Sequence, residues 1–181
     1  MKFKIFPKIK TERLVLRKIE ESDWDVILFL RSDKTVNKYI ERPENRKTKN
    51  KEDAIKFIKA RVEDIENFKS ISWGITLKDN SKIIGTIDLW NFSNDYKTAE
   101  VGYGLNPKYH NKGIMSEALK EVVEFGFAKL NFEKIEAYTH ADNESSKKIL
   151  GKNGFRFVVN KKDEENVANR IFEIQNPSIK H

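Results

Sequence analysis

The chain has no cysteine, only 4 prolines and 8 glycines among 181 residues, and no long apolar run. Without cysteine it cannot form a disulfide scaffold, a cysteine-ligated zinc site or an iron–sulfur cluster, and no thiol can act as a nucleophile. No stretch approaches the ~18 apolar residues of a membrane span, and the N-terminus lacks the continuous apolar core of a signal peptide. We therefore expect a soluble, cytoplasmic protein.

Charged and aromatic residues are abundant instead. Charged residues make up 35% of the chain and aromatic residues 11%, and the aromatic residues are spread along its whole length. Disordered chains lack such an aromatic content, and the length suits one domain with a sizeable core. Because no repeat or Pro/Gly-rich linker divides the sequence, residues 1–181 are expected to form a single domain.

The net charge is +7 and the isoelectric point about 9.4, with most of the excess in the first third of the chain. The densest cations lie in residues 42–51, which form either a solvated loop or a contact for phosphate or an acidic partner. Binding to single-stranded nucleic acid would require aromatic residues among these cations, and the segment has none. Nucleic acid is therefore not the expected partner.

Hydrophobic periodicity predicts an α+β fold, a mixed and mainly antiparallel sheet with helices packed on it. Strands are expected at 11–18, 73–77, 83–90, 99–105, 135–139, 155–159 and 170–174. Helices are expected at 24–31 with Ser22 as its N-cap, at 51–65 with Asn50 as its N-cap, at 113–129 and at 145–152. Asn153-Gly154 predicts a left-handed stop after the last helix.

The strand-to-helix junction at residues 106–119 is the segment with the clearest chemistry. A helix that begins directly after a strand presents unpaired backbone N–H groups and a positive dipole end, which suit a phosphate. Gly113 permits close backbone approach, Asn111 tolerates positive φ, and Lys112 adds a cation. The segment has neither the P-loop pattern nor the dinucleotide fingerprint. Anion binding and an ordinary turn that binds nothing both stay open on this basis.

The junction resembles the motif Q/R-x-x-G-x-G/A of the GNAT superfamily of acyl-CoA-dependent N-acetyltransferases, with His110, Gly113 and Met115 at its fixed positions. Further segments stand in the order typical of the ribosomal-protein N-acetyltransferase (Rim) type, from about residue 11 to about residue 174. They are Thr11–Arg17, Ile84–Leu89, Ala99–Leu105, Asn143–Ser146 and Asn153–Phe155.

The resemblance implies a GNAT-like sheet of about seven strands that is splayed in the middle, with about four helices packed on both faces. The pantetheine arm of acetyl-CoA would enter between strands 99–105 and 134–140, and the backbone N–H groups from His110 to Met115 would hold the pyrophosphate. The cofactor-binding residues so implied are Tyr103, Leu105, His110, Asn111, Lys112, Gly113, Ile114, Met115, Asn143 and Ser146.

Three residues depart from the family pattern. His110 stands where Gln or Arg is usual, Asn111 where this type commonly has Gly, and Met115 where a small residue is usual. Because the implied phosphate ligands are backbone groups, these changes are tolerable if Met115 turns its side chain away. The alternative is a weaker or shifted CoA site.

Acetyl transfer to an amine requires a base and an acid. Glu100 matches the Glu that acts as general base in part of the superfamily, and its alternative is a strand residue without a catalytic role. Many relatives carry a Tyr as the thiolate acid where this chain has Leu150. Ser146 matches a serine that the Rim type carries near the thiol, and its alternative is N-terminal helix capping, which Ser145 could share.

Three further residues are candidates for the acceptor pocket: Trp90, Phe92 and His140. The alternation of the two aromatic residues is more typical of core residues, and His140 could be a polar residue satisfied at a strand end. The chain holds only 3 histidines. His110, His140 and His181 suggest no metal-ligand cluster, so no metal is expected.

The resemblance therefore implies an acetyl-CoA-dependent N-acetyltransferase that uses direct attack of a primary amine on the thioester. The peptide or protein N-terminal α-amine is the favoured acceptor, and a small-molecule amine such as a polyamine, amino sugar or antibiotic is the alternative. A non-catalytic CoA-binding protein or a nucleic-acid-binding protein on the same fold also stays open, as does a homodimer.

Overall fold

The structure, a computed structural model, describes residues 5–179. Within that range the chain forms one eight-stranded sheet in the order β1-β2-β3-β4-β5-β6-β8-β7 and four α-helices. The strands are β1 Ile9–Lys10, β2 Leu14–Lys18, β3 Ile71–Leu77, β4 Asn80–Trp90, β5 Thr98–Leu105, β6 Lys134–His140, β7 Arg156–Phe157 and β8 Asn169–Gln175. The helices are α1 Trp24–Ser32, α2 Lys51–Glu66, α3 Ile114–Leu130 and α4 Glu144–Lys152.

The sheet is mixed and mainly antiparallel, which confirms the predicted fold class. Strands β1 to β5 pair antiparallel in chain order, β5 pairs parallel with β6, and β6, β8 and β7 are antiparallel again. The sheet has one strand more than the seven predicted because the two-residue β1 pairs with β2. None of the helices within residues 5–179 is long and apolar enough to cross a membrane.

Two apolar layers cover the sheet. Alternate residues of β3 and β4, such as Trp73 and Ile87, are fully buried against α3 and α4 on one face. The opposite face packs on α1 and α2 through a smaller cluster that includes Ile27, Ile58 and Ile83. Full burial of each such side chain contributes roughly 1.5–3 kcal/mol to stability. Because this second cluster is smaller, polar side chains such as Asp88 and Glu100 also occupy the α1/α2 face of the sheet.

The N-cap predictions had different outcomes. Asn50 caps α2 as predicted, since its side chain accepts a hydrogen bond from the Asp53 N–H. The prediction that Ser22 caps the first helix is wrong. A capping box between Glu20 and Asp23 closes a short 3₁₀ turn at Glu21–Asp23, and α1 begins at the next residue. The residue that stabilises this start is Asp23, whose carboxylate also accepts two hydrogen bonds from the Arg17 guanidinium.

The last hairpin is antiparallel as predicted, but its first strand is shorter than expected. Strand β7 spans only Arg156–Phe157 rather than 155–159. Farther along the connection, the Asp163 carboxylate accepts hydrogen bonds from the backbone N–H groups of Glu165 and Asn166, so this segment forms its own local turn. Gly154, at φ +83°, provides the predicted left-handed turn after α4.

Candidate active site

The parallel pair β5 and β6 opens in the middle of the sheet. Their paired register covers only Thr98–Glu100 with Lys134–Glu136, although β5 continues to Leu105 and β6 to His140. Beyond the last pair, the backbone edges of the two strands face a gap. A segment inserted there could form hydrogen bonds with both strands, as an extra strand would.

A turn rich in free donors lies between β5 and α3. Gly113 is the N-cap of α3 at φ +74°, and Asn111 is also left-handed at φ +59°. Within residues 5–179, no backbone or side-chain acceptor pairs with the N–H groups of residues 111–116. These donors stand at the positive end of the 17-residue helix α3, so the turn can bind an anion.

Arg13 braces this turn from β2's side of the sheet. Its Nη1 donates to the Lys112 carbonyl oxygen at 2.9 Å, and its Nε donates to Glu117 Oε2 at 2.7 Å. A second guanidinium nitrogen lies 3.4 Å from the position that a Cβ at Gly113 would take. Arg13 belongs to the motif segment Thr11–Arg17, but nothing in that motif predicts its contact with the turn. The structure therefore adds a cation to the anion site.

The residues on either side of the turn do not all face it. The His110 N–H donates to Pro107 O at 3.0 Å, so the free donors begin one residue later than predicted. The His110 ring folds back to within 3.0 Å of Leu105 O. Met115 is only 4% exposed and packs in the core, which takes its long side chain away from the turn. Leu105 is also a core residue.

A cleft with a volume of about 230 Å³ occupies the gap between the strands. Its walls come from four places: the α1–α2 connection, β5, β6 with the start of α4, and the β7–β8 connection. The lining residues are Tyr39, Ile40, Glu41, Val101, Gly102, Tyr103, Ala137, Tyr138, Thr139, His140, Asn143, Ser146, Asn166 and Asn169.

Two hydroxyl groups meet in this cleft. Tyr103 Oη and Ser146 Oγ are 2.9 Å apart and hydrogen bonded. Burial raises the pKa of Tyr103 to about 12, so the phenol keeps its proton throughout the neutral range. Asn143 caps α4 by accepting the Ser146 N–H at 3.1 Å. Because the Asn143 side chain is the cap, the Ser146 hydroxyl is not used for capping and bonds Tyr103 in the cleft instead. The suggested cap at Ser145 is not formed.

Glu100 lies where the gap between β5 and β6 closes, in the last pair of the parallel register with Glu136 and directly before the cleft-lining Val101. Its carboxylate accepts a hydrogen bond from the Asn91 side chain. Burial raises the pKa of Glu100, and the negative charge of Glu136 raises it further, while the Asn91 hydrogen bond opposes the shift. A glutamate with a raised pKa is better suited to accept a proton near neutral pH than an ordinary one.

The three candidates for the acceptor pocket lie in different places. His140 lines the cleft, where its ring stacks on Tyr39 at 5.2 Å and its Nδ1 accepts the Asp142 N–H. Trp90 is 44% exposed, and its indole nitrogen lies beside Gly102 at the edge of the cleft. The structure does not bring Phe92 to the cleft.

Phe92 instead packs against Phe132 in the core at 5.1 Å, on the α3/α4 side of the sheet, with Phe68 and Tyr96 against it. Strand β4 ends at Trp90 and Asn91 is left-handed, so the chain bends there and Phe92 packs on the α3/α4 face of the sheet. Within residues 5–179, no three His, Cys, Asp or Glu side chains are grouped as metal ligands would be. His181 lies outside the described residues.

The arrangement combines an anion-binding turn, an open channel between two strands, and proton-exchanging groups along that channel. Alternation along β5 places Glu100 on the α1/α2 face and Tyr103 on the α3/α4 face. A group held in the gap would therefore have a carboxylate on one side and a hydroxyl pair on the other. Such an arrangement can take a proton from one reactant and give a proton to another.

Comparison with known proteins agrees with this arrangement. A model of the acetyltransferase (GNAT) domain matches residues 13–156. The chain is 34% identical over 154 residues to the uncharacterized N-acetyltransferase YoaA of Bacillus subtilis, and the match covers 84% of each chain.

Solved structures show the same architecture. The ribosomal-protein-S5-alanine acetyltransferase of Vibrio fischeri matches with a TM-score of 0.81 and 23% identity over 97% of this chain and 100% of that chain. RimL, the ribosomal L7/L12 α-N-protein acetyltransferase solved in complex with coenzyme A, matches with a TM-score of 0.80 and 16% identity. The match covers 93% of this chain and 98% of that chain. At these identities the two structures establish a shared fold.

The structural neighbours thus include the ribosomal-protein acetyltransferases that the sequence motifs resemble, and the domain match spans most of the chain. The chain therefore belongs to the GNAT family of acetyltransferases, and it is an acyltransferase.

Proposed function

We propose that this protein transfers the acetyl group of acetyl-CoA to the α-amine of a peptide or protein N-terminus by direct attack of the amine on the thioester. The observation that carries the proposal is the opening between β5 and β6, with a donor-lined turn at its wide end. A pantetheine chain needs such an open strand edge, and a pyrophosphate needs such a turn. Acetyl-CoA supplies the activated acetyl thioester.

The turn suits the pyrophosphate because its donors are free before any ligand binds. The N–H groups of residues 111–116 can donate to phosphate oxygens, and Lys112 and Arg13 supply positive charge beside them. None of these ligands depends on the side chains of His110 or Met115. The family departures at those two positions are therefore compatible with a CoA site.

The reaction requires two proton movements. As the amine nitrogen forms a bond to the thioester carbonyl carbon, the carbon–sulfur bond breaks and the thiolate leaves. The nitrogen then loses a proton, and Glu100 is the residue that accepts it, directly or through water. The thiolate gains a proton, and Ser146 is the donor, with the Tyr103 phenol able to replace it through their shared hydrogen bond. Products are an acetamide and free CoA.

A peptide acceptor is supported by the motif resemblance and by the character of the relatives. Two of the solved neighbours are by name acetyltransferases of ribosomal proteins, one acting on an alanine and one on an α-amine. The segment 31–46, part of which lines the cleft, carries five cations against three carboxylates, so the entrance is mildly basic. They are Arg31, Lys34, Lys38, Arg42 and Arg46 against Asp33, Glu41 and Glu44. A basic entrance disfavours polycationic acceptors and favours an amine attached to a neutral or acidic group.

A panel of acceptors tests the proposal. We expect a peptide with a small neutral first residue to give a higher kcat/KM than spermidine or an aminoglycoside, with CoA release matched by acetylated product. Glu100→Gln should lose most of this turnover while acetyl-CoA still raises the melting temperature. Faster turnover with spermidine than with any peptide would move the protein to the small-amine alternative, and binding of acetyl-CoA without turnover on any amine would favour a non-catalytic CoA-binding protein.

A further inference from the structure

Three arginine side chains lie close together between the α1/α2 layer and the sheet. Arg31 lies near the end of α1, Arg61 lies in α2, and Arg42 lies in the connection between the helices. The guanidinium carbons of Arg31 and Arg61 are 3.8 and 5.2 Å from the centre of the same Phe57 ring. The shared ring holds these two cations close together.

A second carboxylate, besides the Asp64 partner of Arg61, acts on this cluster through its charge: Asp88, on the face of β4 that points to α1 and α2. Burial raises the pKa of Asp88, while the neighbouring Ser72 hydroxyl and the positive charges of Arg61 and Arg31 act in the opposite direction. No ion pair within 4.0 Å joins Asp88 to an arginine anywhere in residues 5–179. The carboxylate therefore compensates the cluster from a distance rather than by direct contact.

The cations of this cluster exceed its anions. Arg31 donates to two neutral oxygens, Thr48 Oγ1 at 2.8 Å and Arg46 O at 2.9 Å. Arg42 donates to the neutral Asn37 side chain.

Arg61 is the member with a close ion pair, to Asp64 at 2.7 Å, yet its Nε is buried without a hydrogen-bond partner. Burial lowers the pKa of Arg31 to about 10, and repulsion by Arg42 and by Arg61 adds to that effect. Like charges held together in a partly buried place destabilise one another, and an anion placed among them would relieve that repulsion.

The three arginines do not line the cleft themselves, but chain neighbours and strand pairing connect the cluster to residues that do. Arg42 directly follows Tyr39–Glu41, which line the cleft, and Asp88 pairs across the sheet with Gly102, which also lines it. Asp88 and Glu100 lie on the same face of adjacent strands, as diagonal neighbours in the register. Their separation is then roughly 7–8 Å. A ligand with its amine at Glu100 could reach the cluster with a group a few bonds away.

We propose that the arginine cluster of Arg31, Arg42 and Arg61 binds an oxyanion, a carboxylate or a phosphate, carried by the acceptor a few bonds from its reacting amine. This inference rests on the proposed function, and it names the substrate class: an amine next to an acidic group. The planar guanidinium suits both oxyanions because its donors form a fork.

The test compares three tripeptides that have a free N-terminal amine and a C-terminal amide and that differ in one side chain. They are Ala-Asp-Ala amide, Ala-Asn-Ala amide and Ala-phosphoserine-Ala amide. Wild type should acetylate the Asp peptide or the phosphoserine peptide with kcat/KM at least about 10-fold above that of the Asn peptide, which is the uncharged isostere of the Asp peptide. The faster of the two acidic peptides identifies the oxyanion that the cluster prefers. Arg42→Gln and Arg61→Gln should each lower that ratio at least about 5-fold. Lys56→Gln removes one exposed charge from the same helix as Arg61 and should leave the ratio unchanged.

An acidic-to-neutral ratio near one in wild type would overturn the inference, as would an equal ratio in wild type and both arginine variants. A second measurement does not depend on turnover. At constant ionic strength, succinate or inorganic phosphate should raise the melting temperature of wild type and of Lys56→Gln, and should do so much less for Arg42→Gln.

The two proposals fail in different ways. If the protein acetylates no amine but succinate or phosphate still raises the melting temperature of wild type more than that of Arg42→Gln, the proposed function is rejected and the anion site is kept. If the protein acetylates peptides but the acidic-to-neutral kcat/KM ratio is the same in wild type and in the arginine variants, the function is kept and the anion site is rejected. An identical melting response in wild type and Arg42→Gln would also reject the site.

Discussion

Replacement of Gly113 by Asp, with Asn as its uncharged isostere, isolates the charge at the donor-lined turn. Both residues tolerate the left-handed backbone better than most, so the strain at φ +74° should cost at most about 1–2 kcal/mol of stability. The new side chain begins 3.4 Å from an Arg13 nitrogen, which is an ordinary contact distance. For a chain of this size, both variants should therefore melt at most about 8 °C below wild type.

The two variants should differ in their affinity for acetyl-CoA. A carboxylate about 4 Å from a phosphate charge costs ~1 kcal/mol in water and ~4 kcal/mol at an effective dielectric constant near 20. The turn is exposed, so the smaller figure is the safer one, and it corresponds to a dissociation constant at least roughly 5-fold weaker for Asp than for Asn. The Asp carboxylate would also compete with the phosphate groups of acetyl-CoA for the Arg13 guanidinium.

Isothermal titration with acetyl-CoA measures both dissociation constants, and a repeat at high salt should narrow their ratio because ions screen the exposed charges. Affinities of the Asp and Asn variants that equal each other and that of wild type at low salt would refute the assignment of the turn as the pyrophosphate site, since neither the new charge nor the new side chain would then affect the ligand.

Further predictions concern the proton-exchanging groups and the brace of the turn. Glu100→Gln should lower kcat roughly 100-fold or more while acetyl-CoA affinity holds, and it should remove the acid limb of the kcat/KM profile. Because burial raises the Glu100 pKa, that limb should lie above the ordinary glutamate range in wild type. Ser146→Ala should cost roughly 10- to 100-fold in kcat, and the double variant with Tyr103→Phe should cost more than either change alone, as steady-state rates will show. Arg13→Gln should weaken acetyl-CoA binding several-fold in titrations with a small change in melting temperature, because its ion pair with Glu117 is partly exposed.

Local patterns in the sequence predicted most of the elements. The antiparallel strands β3 to β5, the Asn50 cap of α2 and the left-handed Gly154 all follow from residues within a few positions of one another. The error at Ser22 arose because the chain enters α1 through a 3₁₀ turn, in which the Asp23 carboxylate accepts the Glu20 N–H. Arg17, six residues earlier in the chain and on β2, donates two hydrogen bonds to that carboxylate and holds it in place.

The site depends on contacts that no local pattern contains. Arg13 and Glu117 are 104 residues apart, and Tyr103 and Ser146 are 43 apart, yet both pairs are in direct contact. The motif resemblance identified the turn and the serine, but a motif carries no information about which side chains meet across the gap. The same limit explains why the sequence left Phe92 open between the acceptor pocket and the core, where the structure places it.

The most direct test of acetyl transfer to an α-amine follows an isotope-labelled acetyl group from acetyl-CoA to its acceptor. Wild-type protein, incubated with labelled acetyl-CoA and a peptide with a free N-terminus, should place the label on the α-amine nitrogen, as located by tandem mass spectrometry. Free CoA should appear in equal amount, and an N-terminally blocked peptide that retains a lysine side chain should stay unlabelled. Release of CoA without labelled peptide, or label on the lysine side chain at the same rate, would contradict the proposed reaction.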